Sequence, residues 1–223
     1  MKITNIKEFM KHSMESLEEI LAMLMNLPEL SIQDLQGSRT ALVIVDMVNG
    51  FVREGALKSP RVEALIPDIV ELVQQCAKAK IKALAFADCH TKVSPEFEAY
   101  PVHCMAGTYE AEIVDEIKEI GEYLLIHKNS TNGFFEEEFQ KWLKINDGID
   151  TYVITGDCTD ICVQQFAITL KTWFNKENRK IRVIVPVNAV ETYDLGLHNG
   201  DLANVMALYN MINNGIEVVK SIK

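Results

Sequence analysis

The sequence predicts an α/β fold: a mostly parallel six-stranded sheet with helices on both faces, preceded by an N-terminal helical extension. Two observations carry this. Six short runs are rich in Val, Ile, Leu and Ala, and several are nearly continuous in them, as in strands buried on both faces of a parallel sheet. Longer stretches with helical spacing separate them, and strand alternating with helix is the pattern of a layered α/β domain.

The elements follow in order. In residues 1–36, Met10, Met14, Leu17, Leu21 and Leu24 recur at steps of three and four and share one helix face. Pro28 ends the pattern, because proline clashes with the preceding helical turn. This helix either packs on its own domain, the favoured reading, or serves as an arm that docks on a neighbouring subunit. Strands are predicted at Ala41–Val45, Ile81–Ala87, Tyr123–Ile126, Thr151–Thr155, Ile181–Val185 and Ile216–Val219. Helices are predicted at Val62–Ala79, Ala111–Glu119, Glu136–Ile145, Asp160–Phe174 and Leu202–Asn213. No repeat, low-complexity segment or linker divides residues 37–223, so the expected organisation is an extension, 1–36, and one domain, 37–223.

Composition narrows the function. Lys plus Arg number 22 and Asp plus Glu 32, a net charge of −10. Nucleic acid and anionic membrane surfaces both reward clustered cations, so neither is an expected partner. No apolar run approaches the ~20 residues that span a bilayer. The first twenty residues mix charge throughout, unlike a signal peptide. Five scattered cysteines, an odd count, read as reduced thiols, so a cytoplasmic location is expected.

In an open parallel sheet, ligands bind beyond the carboxyl ends of the strands. Asp46 follows the first predicted strand, Asp88 and His90 the second, and Lys128 the third. The turn Gly156-Asp157-Cys158-Thr159-Asp160-Ile161-Cys162 follows the fourth and opens a helix. Singly, each residue has a plain structural explanation as a cap, a solvated lysine or a small buried thiol. Together they make chemical sense. A thiolate is the nucleophile, and a helix start with a nearby lysine favours it. Asp46 is placed to take the proton of Cys162 and return it to a leaving amine, while backbone N–H groups hold an oxyanion. That constellation suits amide hydrolysis through a thioester.

A second cluster joins Asp88 and His90 to Glu96 and His103. Imidazole with carboxylate suits Zn²⁺, Fe²⁺ or Mn²⁺. The alternatives are a loop of locally hydrogen-bonded polar residues, or a thiolate site using Cys89 and Cys104. The latter is disfavoured because alternate residues at a sheet edge, not neighbours, face one site.

These residues resemble a known family, the isochorismatase-like cysteine hydrolases, and within it the nicotinamidase branch. The resemblance runs over residues 40–220. Ala41-Leu-Val-Ile-Val-Asp46-Met-Val-Asn49-Gly-Phe51 is similar to the family's strand ending in D-x-Q-N-D-F, and Gly55-Ala56-Leu57 to the G-A-L after it. Thr159-Asp160-Ile161-Cys162-Val163 is similar to T-D-x-C-V around the nucleophile. Tyr100-Pro101-Val102-His103-Cys104-Met105-Ala106-Gly107-Thr108 is similar to the nicotinamidase W-P-x-H-C-x-x-G-T. The resemblance implies the isochorismatase-like hydrolase fold and a catalytic triad of Asp46, Lys128 and Cys162. It implies one divalent metal, Zn first, on Asp88, His90 and His103, with Glu96 as a fourth ligand, and a metal that binds the substrate's pyridine nitrogen. Phe51 and Tyr100 match the aromatic residues that enclose the substrate ring. A cis peptide at Cys158–Thr159 is implied, beside an oxyanion site of Cys158, Thr159 and Cys162.

The sequence departs from the pattern at Val48, Gly50 and Cys89, and it lacks the second histidine of an H-P-x-x-H run. The expected activity is hydrolysis of nicotinamide to nicotinate and ammonia, in NAD salvage, by a homo-oligomer. Two other functions compete. One is hydrolysis of another small amide or ureido compound without metal. The other is a catalytically silent scaffold, against which the intact Asp46, Lys128 and Cys162 speak.

Overall fold

The structure is a computed structural model and describes residues 2–223. Its sheet is parallel at every strand pair. The strands are β1 Thr40–Val45, β2 Lys82–Asp88, β3 Tyr123–Lys128, β4 Thr151–Asp157, β5 Arg182–Pro186, β6 Val190–Glu191 and β7 Glu217–Val219. The spatial order is β3-β2-β1-β4-β5-β7, with β6 paired to β4. Seven strands therefore replace the expected six. The addition is β6, whose two residues continue alongside β4 at Gly156 and Asp157, beyond the point where β5 has left it. Two residues are too few to show a period.

The helices are α1 Ile6–Met25, α2 Asn49–Val52, α3 Pro60–Glu63, α4 Ile66–Lys78, α5 Asp115–Lys118, α6 Glu137–Ile145, α7 Gln164–Lys176 and α8 Gly200–Asn213. Three predicted helices changed. Val62–Ala79 breaks at Ala64–Leu65 into α3 and α4, with a proline in the first turn of α4, where its missing N–H costs nothing. Ala111–Glu119 shrinks to α5 and a 3₁₀ turn at Tyr109–Ala111. Its middle is pulled into extended pairing, as Asn49 N–H donates to Glu112 O and Val114 N–H to Met47 O. Asp160–Phe174 also starts differently, with a π turn at Thr159–Val163 before α7.

Period-two alternation in β1 divides the core. Leu42 and Ile44 face one layer, with Ile69, Leu72 and Val73 of α4 and Ile117 of α5. Ala41, Val43 and Val45 face the other, with Phe139 of α6, Phe166 and Leu170 of α7, and Leu208 of α8. Because β1 lies inside the sheet with β2 and β4 on either side, the strand order reverses there. The carboxyl end of β1 is thus the switch point where this topology opens a crevice.

The N-terminal helix carries no buried residue. Its inward face is Leu17, Ile20 and Leu24, which are half-buried, and Leu24 and Leu27 pack on the α7–α8 layer. Met10, Met14 and Leu21 of the predicted stripe are exposed. Beyond Pro28 the chain is tied to its own C-terminus: Leu30 N–H donates to Ser221 O, and Lys223 N–H to Leu30 O. Among the described residues no helix is long and apolar enough to cross a membrane.

Candidate active site and metal centre

Four strand ends deliver the site. Asp46 follows β1 with φ 56°, a left-handed conformation that Asp tolerates better than most residues and that turns the chain sharply away from the strand. Asp46 Oδ1 accepts the N–H of Asp88 at 3.1 Å, which locks the ends of β1 and β2 together. Asp88 ends β2 and Lys128 ends β3, in register with each other. Cys162 sits in the π turn after β4, 6% exposed.

The lysine is the hub. Its Nζ lies 2.8 Å from Asp46 Oδ2, bonds Asp88 Oδ1, and lies 3.8 Å from Cys162 Sγ. A fully buried ammonium is stable only when paired, and here two carboxylates do so. Burial works against its charge, but Asp46 and Asp88 outweigh it and hold Lys128 protonated well above the usual lysine range. Burial with Asp88 nearby pushes the Asp46 carboxyl up to about 7, against the pull of Lys128. Burial also pushes the Cys162 thiol well up, only partly opposed by Lys128. The resting thiol therefore keeps its proton, and the group beside it that gains and loses one near neutrality is Asp46. A carboxyl poised near neutrality is suited to act as general base toward that thiol.

The second cluster also assembles. Asp88 Oδ2 faces His90 Nε2 at 3.5 Å and His103 Nε2 at 3.6 Å. Donor atoms of Asp88, His90, Glu96 and His103 all lie within 4.8 Å of one another. His103 Nδ1 is 2.7 Å from Pro101 O, which fixes that nitrogen as the N–H and leaves Nε2 as a lone pair. His90 Nδ1 lies near Asn129 Oδ1 and Ser94 Oγ, while its buried Nε2 has no hydrogen-bond partner. An orphaned imidazole nitrogen facing a carboxylate oxygen and a second imidazole fits a divalent cation. Burial, then Asp88, pushes Glu96 up, as expected of a carboxylate crowded beside another. Cys89 and Cys104 are not among these donors.

One cavity joins the two clusters. Its walls include Asp88, Glu96, His103 and Cys162. Phe51 and Tyr100 line it as expected, their rings 5.6 Å and 6.3 Å from that of His103. Phe97, not foreseen, packs edge-on against both imidazoles, at 5.4 Å and 5.7 Å. Tyr193 also lines the cavity. It stacks on His198 with centroids 4.1 Å apart, and His198 Nε2 bonds Asp160 Oδ2 at 2.8 Å. Asp157 is a further wall residue, buried with both carboxyl oxygens unpartnered. In the sequence Asp157 is one residue of the turn before Cys162, and nothing there marks it for a role. Nothing in the sequence points to Tyr193, which only β6 and the loop after it bring round.

One expectation needs correction. The cis peptide is Asp157–Cys158, not Cys158–Thr159. Strand β4 runs to Asp157, so the chain changes direction one bond earlier than the motif spacing implied. Cys158 and Thr159 remain beside Cys162 in the turn, and Ile161 and Val163 N–H both donate to Cys158 O.

Comparison with known proteins places the fold. The isochorismatase domain matches residues 40–218. Nicotinamidase 1 of Arabidopsis thaliana is 32% identical over 181 residues, covering 74% of this chain and 71% of that protein. The structure of N-carbamoylsarcosine amidase from Thermoplasma acidophilum superposes with a TM-score of 0.67 at 25% identity, over 82% of this chain and 96% of that one. The pyrazinamidase of Pyrococcus horikoshii, solved in complex with zinc, shares the fold with a TM-score of 0.68 at 24% identity, over 82% and 99%. With the family match spanning the whole sheet and the strand ends that carry Asp46, Lys128 and Cys162, this chain belongs to the isochorismatase-like family.

Proposed function

We propose that the protein is a nicotinamidase, hydrolysing nicotinamide to nicotinate and ammonia for NAD salvage. The observation that supports it is the shared cavity: Asp88, Glu96 and His103 of the four-residue donor group and the buried Cys162 thiol line the same aromatic-walled space. A planar heteroaromatic amide fits two such anchor points, one for a ring nitrogen and one for the carboxamide carbon. Similarity to a plant nicotinamidase points the same way.

In this reading Asp88, His90 and His103, with Glu96, would hold one divalent ion, Zn²⁺ first, which when bound would supply Lewis acidity toward the pyridine nitrogen. Phe51 and Tyr100 confine the ring and exclude water. Asp46 takes the thiol proton of Cys162, and the sulfur attacks the carboxamide carbon. Lys128 keeps the sulfur and carboxylate charges compensated through both half-reactions. Backbone around Cys158, Thr159 and Cys162 supports the oxyanion. Asp46 then protonates the departing nitrogen, ammonia leaves, and water hydrolyses the thioester with Asp46 again as base. Residues 1–36 form a helical extension to the hydrolase domain of 37–223. The exposed Phe9, Met10 and Met14 support self-association through it.

Incubation with nicotinamide, with ammonia measured before and after metal removal and restoration, tests the proposal. Ammonia release that chelation stops and metal restores is expected. Turnover of a ureido or aliphatic amide but not nicotinamide would show another amidohydrolase of this fold.

A further inference from the structure

Asp157, the last residue of β4, is a strand-end carboxyl with no part in the mechanism above. It is fully buried, and neither oxygen has a hydrogen-bond partner in the protein. It shares a sheet face with Val153, which packs in the same layer as Phe51 and Val62, and those two residues form cavity wall beside it. Two further buried threonines are close to it in the chain and the sheet. Thr159 lies two residues on, and Thr192 directly follows Glu191, the register partner of Asp157. A buried polar group is normally satisfied, so an unpartnered carboxyl in the wall of a ligand cavity is one that a bound ligand can partner. Asp157 makes no bond to Lys128, unlike Asp46 and Asp88, so it has no part in the charge pairing of the triad.

The chemistry of the missing partner follows from what Asp157 offers. Charged or neutral, a carboxyl presents at least one acceptor oxygen. The substrate of a cysteine amidohydrolase brings a primary amide to the sulfur, and its NH₂ carries two donors. Cys162 and Asp157 line the same cavity. We propose that Asp157 accepts a hydrogen bond from the N–H of the substrate's amide group and is the residue that selects amides over esters of the same acid. The assignment rests on the amidohydrolase function proposed above.

Paired substrates test it. The ratio of kcat/KM for nicotinamide to that for methyl nicotinate is measured at one pH in wild type, Asp157→Ala and Asp157→Asn. An ester has no N–H to offer, so its hydrolysis does not need the contact. Asp157→Ala is expected to lower the amide value by about thirtyfold, the scale of one buried hydrogen bond left unmade, and the ester value by no more than about threefold. Asp157→Asn keeps one acceptor oxygen and falls between. A purely structural role would depress both substrates together, and an unchanged ratio in Asp157→Ala overturns the proposal. If wild type leaves nicotinamide intact, the substrate assignment fails separately. The same ratio is then taken on the carbamoyl or aliphatic amide it does hydrolyse, against the corresponding methyl ester. A wild type that hydrolyses no amide overturns both.

Discussion

Lys128 and Asp88 are directly bonded, the ammonium donating to Oδ1 of a carboxylate whose Oδ2 faces the imidazoles of His90 and His103. One side chain thus joins the charge network around Cys162 to the candidate metal-ligand group. Among the described residues Asp88 alone does so, and it can because β2 ends between β1 and β3.

Lys128→Met should be both inactive and unstable. It leaves Asp46 and Asp88 buried without their shared cation, a loss of about 3–5 kcal/mol. Lys144→Met, at an exposed position of α6, should change stability by less than about 0.5 kcal/mol. Urea unfolding of the two variants checks this. Equal midpoints would mean that the buried ion pairs carry little of the fold.

Cys162→Ala should abolish ammonia release and leave the unfolding midpoint close to that of wild type. Cys158→Ala, a neighbour whose thiol burial and Asp157 push well up, should keep activity within about tenfold. Steady-state rates on both variants decide it. The reverse pattern would move the nucleophile to Cys158.

His90→Ala and His103→Ala should each reduce bound metal well below one per chain, because three protein ligands with an open position are the minimum for a substrate-binding ion. Glu96→Gln should retain more metal than either. Elemental analysis after dialysis against limiting Zn²⁺ reads the stoichiometry. Full occupancy in both histidine variants would place the ion elsewhere.

The His198–Asp160 pair should make stability depend on pH. Partial burial lowers the imidazole's proton affinity, but the bond to Asp160 outweighs it, so the folded value is raised above 6.5. A raised value means the stabilisation is complete below the unfolded pKa and is lost as pH rises through the folded one. The pair is about a quarter exposed, so the effect is about 1 kcal/mol or less. Wild type should lose this increment relative to His198→Gln as pH climbs from about 6 to 8. Melting curves across that range that stay parallel would remove the pair from the stability balance.

The core of this site was legible because chemistry and topology coincide. Asp46, Asp88, Lys128 and Cys162 each follow an apolar run long enough to announce a strand, and strand ends in a parallel sheet must converge. His103 and Glu96 were legible from their motif, since no periodicity marks the loop that carries them. Tyr193, Phe97 and the role of Asp157 were not. Tyr193 depends on a two-residue strand, and Asp157 reads in sequence as the ordinary last residue of a strand. Only its burial, and the lack of a partner, set it apart. The N-terminal helix was visible from its spacing. Its packed face was legible in part: Leu17 and Leu24 of the stripe turn inward with Ile20, while Met10, Met14 and Leu21 lie toward the exposed side.

The place of β1 also governs when this protein can begin to fold. Thr40 pairs with Thr151, and Ala41 with Lys82, so the first strand made is flanked by strands made much later. At about 5–20 residues per second, roughly 5–20 s of synthesis separate β1 from its β4 partner. Through that interval the ribosome-bound chain carries an almost wholly apolar strand with one open edge, a hazard for pairing with another nascent chain. Chains arrested before Thr151 should need a holdase chaperone to stay dispersed, whereas those arrested past Asp157 should not.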